Sequence, residues 1–83
     1  MYTISISPKA KRQLKNIKKN HQKALAIVIE ELKENHFLGK PFTRELTGKY
    51  SFRVGIFRII YTVFLEDKII QILTAGHRST IYN

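Results

Sequence analysis

From Tyr2 to Ser7 the chain alternates, with Tyr2, Ile4 and Ile6 on one side and Thr3, Ser5 and Ser7 on the other. Period-two alternation of aromatic and β-branched residues predicts a half-buried strand. Ser7-Pro8 then reads as a helix N-cap followed by proline at the first helical position, where its missing N–H costs nothing. Ala10, Leu14 and Ile17 recur at helical spacing with Lys or Arg around the rest, which predicts a first amphipathic helix. Asn20 is the expected cap of a second helix. Its buried stripe is Leu25, Val28, Ile29 and Leu32, with Ala24 and Ile27 beside it, and Asn35, Gly39 and Pro41 end it.

Beyond Pro41 the period changes. "YSFRVG", "FRIIYTVFL" and "KIIQILTAG" are aromatic and β-branched runs separated by Gly55 and by Glu66-Asp67. They predict three strands in a meander, the last turn being a tight hairpin around Glu66, Asp67 and Lys68. The layout is α+β within a single domain, 1–83: a strand, a two-helix hairpin, then a three-stranded antiparallel meander. The helices are expected on one face of an antiparallel sheet.

Composition narrows the partners. At 83 residues the chain sits near the lower size limit for a self-sufficient core, and without cysteine it has neither disulfides nor a thiolate metal site. That suits a reducing cytosol, and cytoplasmic residence is the expectation. No stretch approaches the roughly 20 apolar residues of a membrane span, so no membrane role is expected. The formal charge of +9 and pI near 10.1 favour a polyanion, either nucleic acid or an acidic protein. Lys9, Lys11, Arg12, Lys15, Lys18, Lys19 and Lys23 crowd into 9–23 with no acidic residue among them. Like charges three and four apart weaken a helix. The alternatives are a solvated face and a surface built for nucleic acid.

Strand parity suggests where chemistry would sit. Phe57, Ile59, Tyr61, Val63 and Leu65 share the face expected under the helices, and Arg58, Ile60, Thr62 and Phe64 share the other. Tyr50, Phe52 and Val54 alternate with Ser51 and Arg53, so Arg53 and Arg58 share the face away from the helices, with Lys49 nearby. Neighbouring cations repel unless an anion lies between them; otherwise they splay into solvent or pair with Glu45 or Glu66. His77 and Arg78 follow the last strand, and Tyr82 lies close behind. A tail docked across the sheet would bring guanidinium, imidazole and phenol groups together on one concave face. Arginine binds phosphate in bidentate fashion, histidine moves protons near neutral pH, and tyrosine stacks on bases. This chemistry needs no metal, and no carboxylate cluster is present to hold one.

The string "RELTGKYSFRVGIFRIIYTVFLEDKIIQILTAGHRSTIY" resembles the RelE/ParE superfamily of toxins from bacterial and archaeal toxin–antitoxin systems. The resemblance is strongest in "YSFRVGIFRIIY" and "GHRSTIY" and extends over essentially the full chain. It implies a ribosome-dependent endoribonuclease that enters the ribosomal A site and cleaves mRNA by attack of the 2′-hydroxyl on the adjacent phosphate. By position, it implies that Arg58 and Arg78 hold and stabilise the scissile phosphate. Tyr82 would stack on or orient the nucleotide, Arg53 would serve phosphate binding or proton transfer, and His77 is a candidate acid or base. Lys11, Arg12, Lys15, Lys18, Lys19 and Lys49 would grip RNA backbone. A RelB-like antitoxin in a hetero-oligomer is implied as well, and no cofactor.

Two positions depart from the family pattern. Ser51 stands where many relatives carry a second basic residue, and Ile56 replaces a common acidic residue in the turn. An arginine is a poor base, so His77 is the first choice for proton transfer. Two alternatives remain: a ParE-like toxin that binds DNA gyrase without cleaving anything, and an inactive antitoxin-binding relative.

Overall fold

The computed structural model describes residues 1–36, 39–41 and 48–77. Strand β1 (Thr3–Ile6) leads into helices α1 (Pro8–Lys15) and α2 (Lys19–Glu34). A two-residue strand β2 (Lys40–Pro41) follows, then β3 (Lys49–Val54), β4 (Phe57–Phe64) and β5 (Ile69–His77). The strands form one sheet in the order β1-β5-β4-β3-β2. The α+β layout and the β3–β4–β5 antiparallel meander agree with the sequence pattern.

The sheet is mixed rather than antiparallel, because β1 pairs with β5 in parallel, Thr3 opposite Ile69 through Ile6 opposite Ile72. Two helices separate β1 from the meander, and a chain returning through helices can enter the sheet in the same direction in which it left. Alternation reports which residues are buried but carries no strand direction.

Ser7 makes the predicted cap and does more. Its Oγ accepts from the Ala10 N–H at 3.1 Å and donates to the Leu73 carbonyl at 2.9 Å, fastening the start of α1 to β5. Ser7→Ala removes both bonds and is expected to cost about 1–2 kcal/mol, read as a shift in the urea midpoint. The second helix starts two residues earlier than the Asn20 cap implied. Lys18 takes the cap position with no side-chain capping bond, and Gln22 instead ties the corner by donating from Nε2 to the Leu14 carbonyl at 2.6 Å.

The core lies between the helices and one face of the sheet. Leu25 and Leu32 of α2 meet Ile59 and Tyr61 of β4 and Ile70 and Ile72 of β5, all fully buried, with Ala10, Ile29 and Ala75 around them. Val28 packs at the edge, whereas Ile27 points outward and is 61% exposed. Leu65 falls in the four-residue turn after β4 rather than on the strand, and it too is exposed. That turn closes through Lys68 in the left-handed region, φ 54°.

Tyr61 is the polar anchor of this core. Its hydroxyl donates to the His36 carbonyl and accepts from the Gly39 N–H, each at 2.9 Å, and its ring stacks on Tyr50 at 5.4 Å. The chain beyond α2 is thereby held over the sheet. Gly39 must be glycine for this contact: a Cβ there would lie 2.6 Å from the Tyr61 hydroxyl and 2.9 Å from the Ser51 carbonyl.

Candidate functional site

The β3–β4 hairpin turns through Gly55 and Ile56, with Gly55 at φ +61° as the first residue of the two-residue turn. A positive φ there suits a type II′ turn, whose twist matches the flanking strands. The tight turn fixes the register, Val54 opposite Phe57 and Arg53 opposite Arg58. Phe52, Val54 and Phe57 pack toward the core, so strand parity sends Arg53 and Arg58 out of the other face. On the far side of Arg58, β5 places Gly76, which has no side chain to crowd the guanidinium.

The two arginines differ in environment. Arg53 is exposed, whereas Arg58 is 7% exposed and is the one buried charged side chain among the described residues. A guanidinium withdrawn from bulk water acts on an anion through a lower effective dielectric than a surface lysine does. Directly opposed cations are unfavourable by themselves. Lys49 and Ser51 continue the same face along β3, opposite Thr62 and Ile60. Thr62 Oγ1 donates to the Gly48 carbonyl at 2.9 Å and holds the start of that strand.

His77 is on the other face. It stands opposite Phe57 in the β4–β5 register, and its ring meets the Phe57 ring edge-on at 6.0 Å. Adjacent strand residues point to opposite sides, so with Gly76 beside Arg58, His77 must turn toward the helices. The expected convergence of imidazole and guanidinium groups on one face therefore does not occur through His77. A second histidine, which the sequence pattern did not single out, joins it from α2: the His21 ring lies 4.9 Å from Phe57. Phe57 thus contacts two imidazoles at the end of the sheet. Arg78 and Tyr82 lie outside the described residues.

The candidate RNA-binding cations Lys11, Arg12, Lys15, Lys18 and Lys19 are all exposed, as are Lys9 and Lys23. They do not share one helix: α1 ends at Lys15, Lys18 caps α2, and Lys19 and Lys23 belong to α2. The α1–α2 corner lies at the same end of the sheet as the arginine pair, as the His21–Phe57 contact fixes, but on the opposite face. Among the described residues no three His, Asp or Glu side chains are grouped to hold a metal ion, and no helix is long and apolar enough to cross a membrane.

The family model described as "ParE toxin of type II toxin-antitoxin system, parDE" matches residues 4–82. The chain belongs to the RelE/ParE superfamily of toxins. A curated relative, Toxin RelG of Mycobacterium tuberculosis, is 34% identical to this toxin over 98% of the chain and 95% of its own length. In the crystal structure of the M. tuberculosis toxin–antitoxin complex RelBE2, a chain 30% identical superposes with a TM-score of 0.86, covering 93% of this toxin and 98% of that chain. The isolated E. coli RelE toxin shares the fold at 17% identity and a TM-score of 0.82, with coverage of 99% and 92%. The toxin is thus a RelE-like α+β domain of a type II toxin–antitoxin system.

Proposed function

We propose that this toxin is an endoribonuclease that stops translation by cleaving mRNA in the ribosomal A site. The observation that carries the reading is the Arg53–Arg58 cross-strand pair, with Arg58 buried beside Gly76. In the reaction the substrate's own 2′-hydroxyl attacks the adjacent phosphorus. The bond from phosphorus to the 5′-oxygen breaks, leaving a 2′,3′-cyclic phosphate and a 5′-hydroxyl. One proton leaves the 2′-oxygen and one arrives at the 5′-oxygen, so no water is consumed in this step.

Arg58 and Arg53 neutralise the charge that builds on the phosphoryl oxygens, which is usually the largest catalytic contribution available to a site of this kind. No metal is needed for that role. Arg78 is assigned as the second phosphate-holding arginine and Tyr82 as the stacking residue, by their match to the family motif. His77 is assigned to proton transfer by its match to the family motif alone, since its ring lies against Phe57 on the face opposite the arginine pair. With the bases and phosphates aligned by the ribosome, the reaction is accelerated mainly by positioning and charge.

Lys11, Arg12, Lys15, Lys18, Lys19 and Lys49 would hold RNA backbone independently of sequence. Neutralising Lys11, Arg12 and Lys15 together is expected to flatten the slope of log affinity against log salt by about 0.7–0.9 per lost phosphate contact, measured by fluorescence anisotropy on RNA. A RelB-like antitoxin is the proposed cytoplasmic partner, supported by relatives solved as RelBE and RelE–RelB complexes. Its acidic residues would complement the +9 charge.

The ParE description of the matching family gives gyrase inhibition a footing of its own. Inducing the toxin in cells, mapping mRNA 5′ ends and assaying gyrase supercoiling separates the two. Codon-phased cleavage that is lost in Arg78→Ala supports the endoribonuclease. Gyrase inhibition with intact mRNA supports the other reading.

A further inference from the structure

β1 runs out before β5 does. The parallel pairing stops at Ile6 opposite Ile72, while β5 continues to His77. On that side the last residues of β5 have no strand to bond to, and backbone groups at a strand end fray unless something else receives them. Two residues, Ser7 and Gln13, continue the ladder. The Ser7 N–H donates to the Ile72 carbonyl at 2.9 Å, and Ser7 Oγ donates to the Leu73 carbonyl. One step further, the Ala75 N–H donates to Gln13 Oε1 at 3.0 Å, a contact between residues 62 apart in sequence.

Gln13 is a polar residue on the buried face of α1, half-covered between Ala10, Leu14 and Ile17 at helical spacing. Lys11, Arg12 and Lys15 around it point to solvent. The residue it holds, Ala75, is fully buried and immediately precedes Gly76 and His77. We propose that Gln13 is a positioning residue of the active end. It clamps the terminal rungs of β5 to α1 and so sets where Gly76 lies beside Arg58 and where His77 ends the described strand. Resting on the endoribonuclease reading, the proposal adds that the cation-bearing helix and the catalytic strand share one fastening. RNA held on the outer side of α1 is then registered against the site by a side chain on its inner side.

Three variants and two readouts test it. Gln13→Leu keeps the volume and loses the acceptor. Gln13→Glu keeps an acceptor oxygen and serves as the rescue. Ser7→Ala loosens the same strand one step earlier. In Gln13→Leu the Ala75 amide, followed by NMR hydrogen exchange on the free toxin, is expected to exchange roughly five- to tenfold faster, about one hydrogen bond's worth. Amides of Ile70 and Ile72 should stay protected. On programmed ribosomes kcat should fall roughly 10- to 100-fold with KM unchanged, as for a misplacement of the reacting groups. Gln13→Glu should restore both readouts.

Unchanged exchange at Ala75, or wild-type kcat in Gln13→Leu, overturns the clamp. So does exchange that rises evenly along β5 with cleavage falling only as the folded fraction falls, since that is general stability. If the wild-type toxin cleaves no RNA, the endoribonuclease reading falls separately, and the Ala75 amide alone then decides whether the clamp exists.

Discussion

Arg58→Ala is expected to lower the single-turnover rate of mRNA cleavage on programmed ribosomes by roughly 10²–10³-fold, the cost of deleting one preorganised charge-stabilising group. Arg53→Ala should cost less, roughly tenfold, because an exposed guanidinium interacts through water. Arg58→Lys should recover only part of the loss: an ammonium carries the charge but cannot form two parallel bonds to a phosphate. The two arginines face each other across one rung of the sheet. If both hold one phosphate, the double variant should lose less than the product of the single losses, which a double-mutant cycle measures. Since Arg58 is buried, circular dichroism and thermal melting must show the variants folded. A folded Arg58→Ala toxin that cleaves at the wild-type rate removes the arginine pair from the mechanism.

Tyr61→Phe is expected to destabilise the fold by about 1–3 kcal/mol, because it leaves the Gly39 N–H and the His36 carbonyl without their shared partner in a dry place. In a domain this small that corresponds to a fall in Tm of several degrees per kcal/mol. The same hydroxyl gives the protein an alkaline limit. Burial raises the Tyr61 pKa; the Gly39 N–H opposes the shift, and the neighbouring Tyr50 adds to it. The folded chain therefore keeps a proton that the unfolded chain releases near pH ~10. This contribution is complete below that pH and is lost as the pH climbs toward the folded pKa. Urea titrations between about pH 8 and 11 should show wild-type stability declining at the top of the range. Tyr61→Phe, with nothing to ionise there, should lack this component; identical alkaline slopes would assign the decline elsewhere.

The legible parts of the fold were those written in local periodicity. Ser7-Pro8, the Leu25–Ile29–Leu32 stripe and the alternation through Phe57, Ile59 and Tyr61 each state burial within a few residues, and each is buried or capped as read. The face shared by Arg53 and Arg58 was legible for the same reason, since the Gly55 turn lies between them and fixes their register. What was not legible depends on pairings remote in sequence. His77 was expected beside the arginines because its strand lies next to theirs; one residue of parity puts it against Phe57 instead. The same strand carries a register shift between Ile60 and Tyr61 of its partner, which no local pattern announces. Gln13 escaped notice because a polar residue in an apolar stripe reads as a gap until its backbone partner is known. Its only signal was its place between Ala10 and Leu14.

The parallel join of β1 to β5 also constrains how the chain comes into being. Ser7 and Leu73, which close it, are 66 residues apart, so this join cannot form until β5, the last strand among the described residues, has left the translating ribosome. Contacts of such long separation form late and slowly, since a large loop must close before they repay its entropy. The helix hairpin and the β3–β4 turn need only near neighbours and can form earlier. Gly76 and Arg58 meet only when β5 docks, so they stay apart until the chain has been made at least as far as His77. An antitoxin partner has that interval in which to arrive before the two residues are brought side by side.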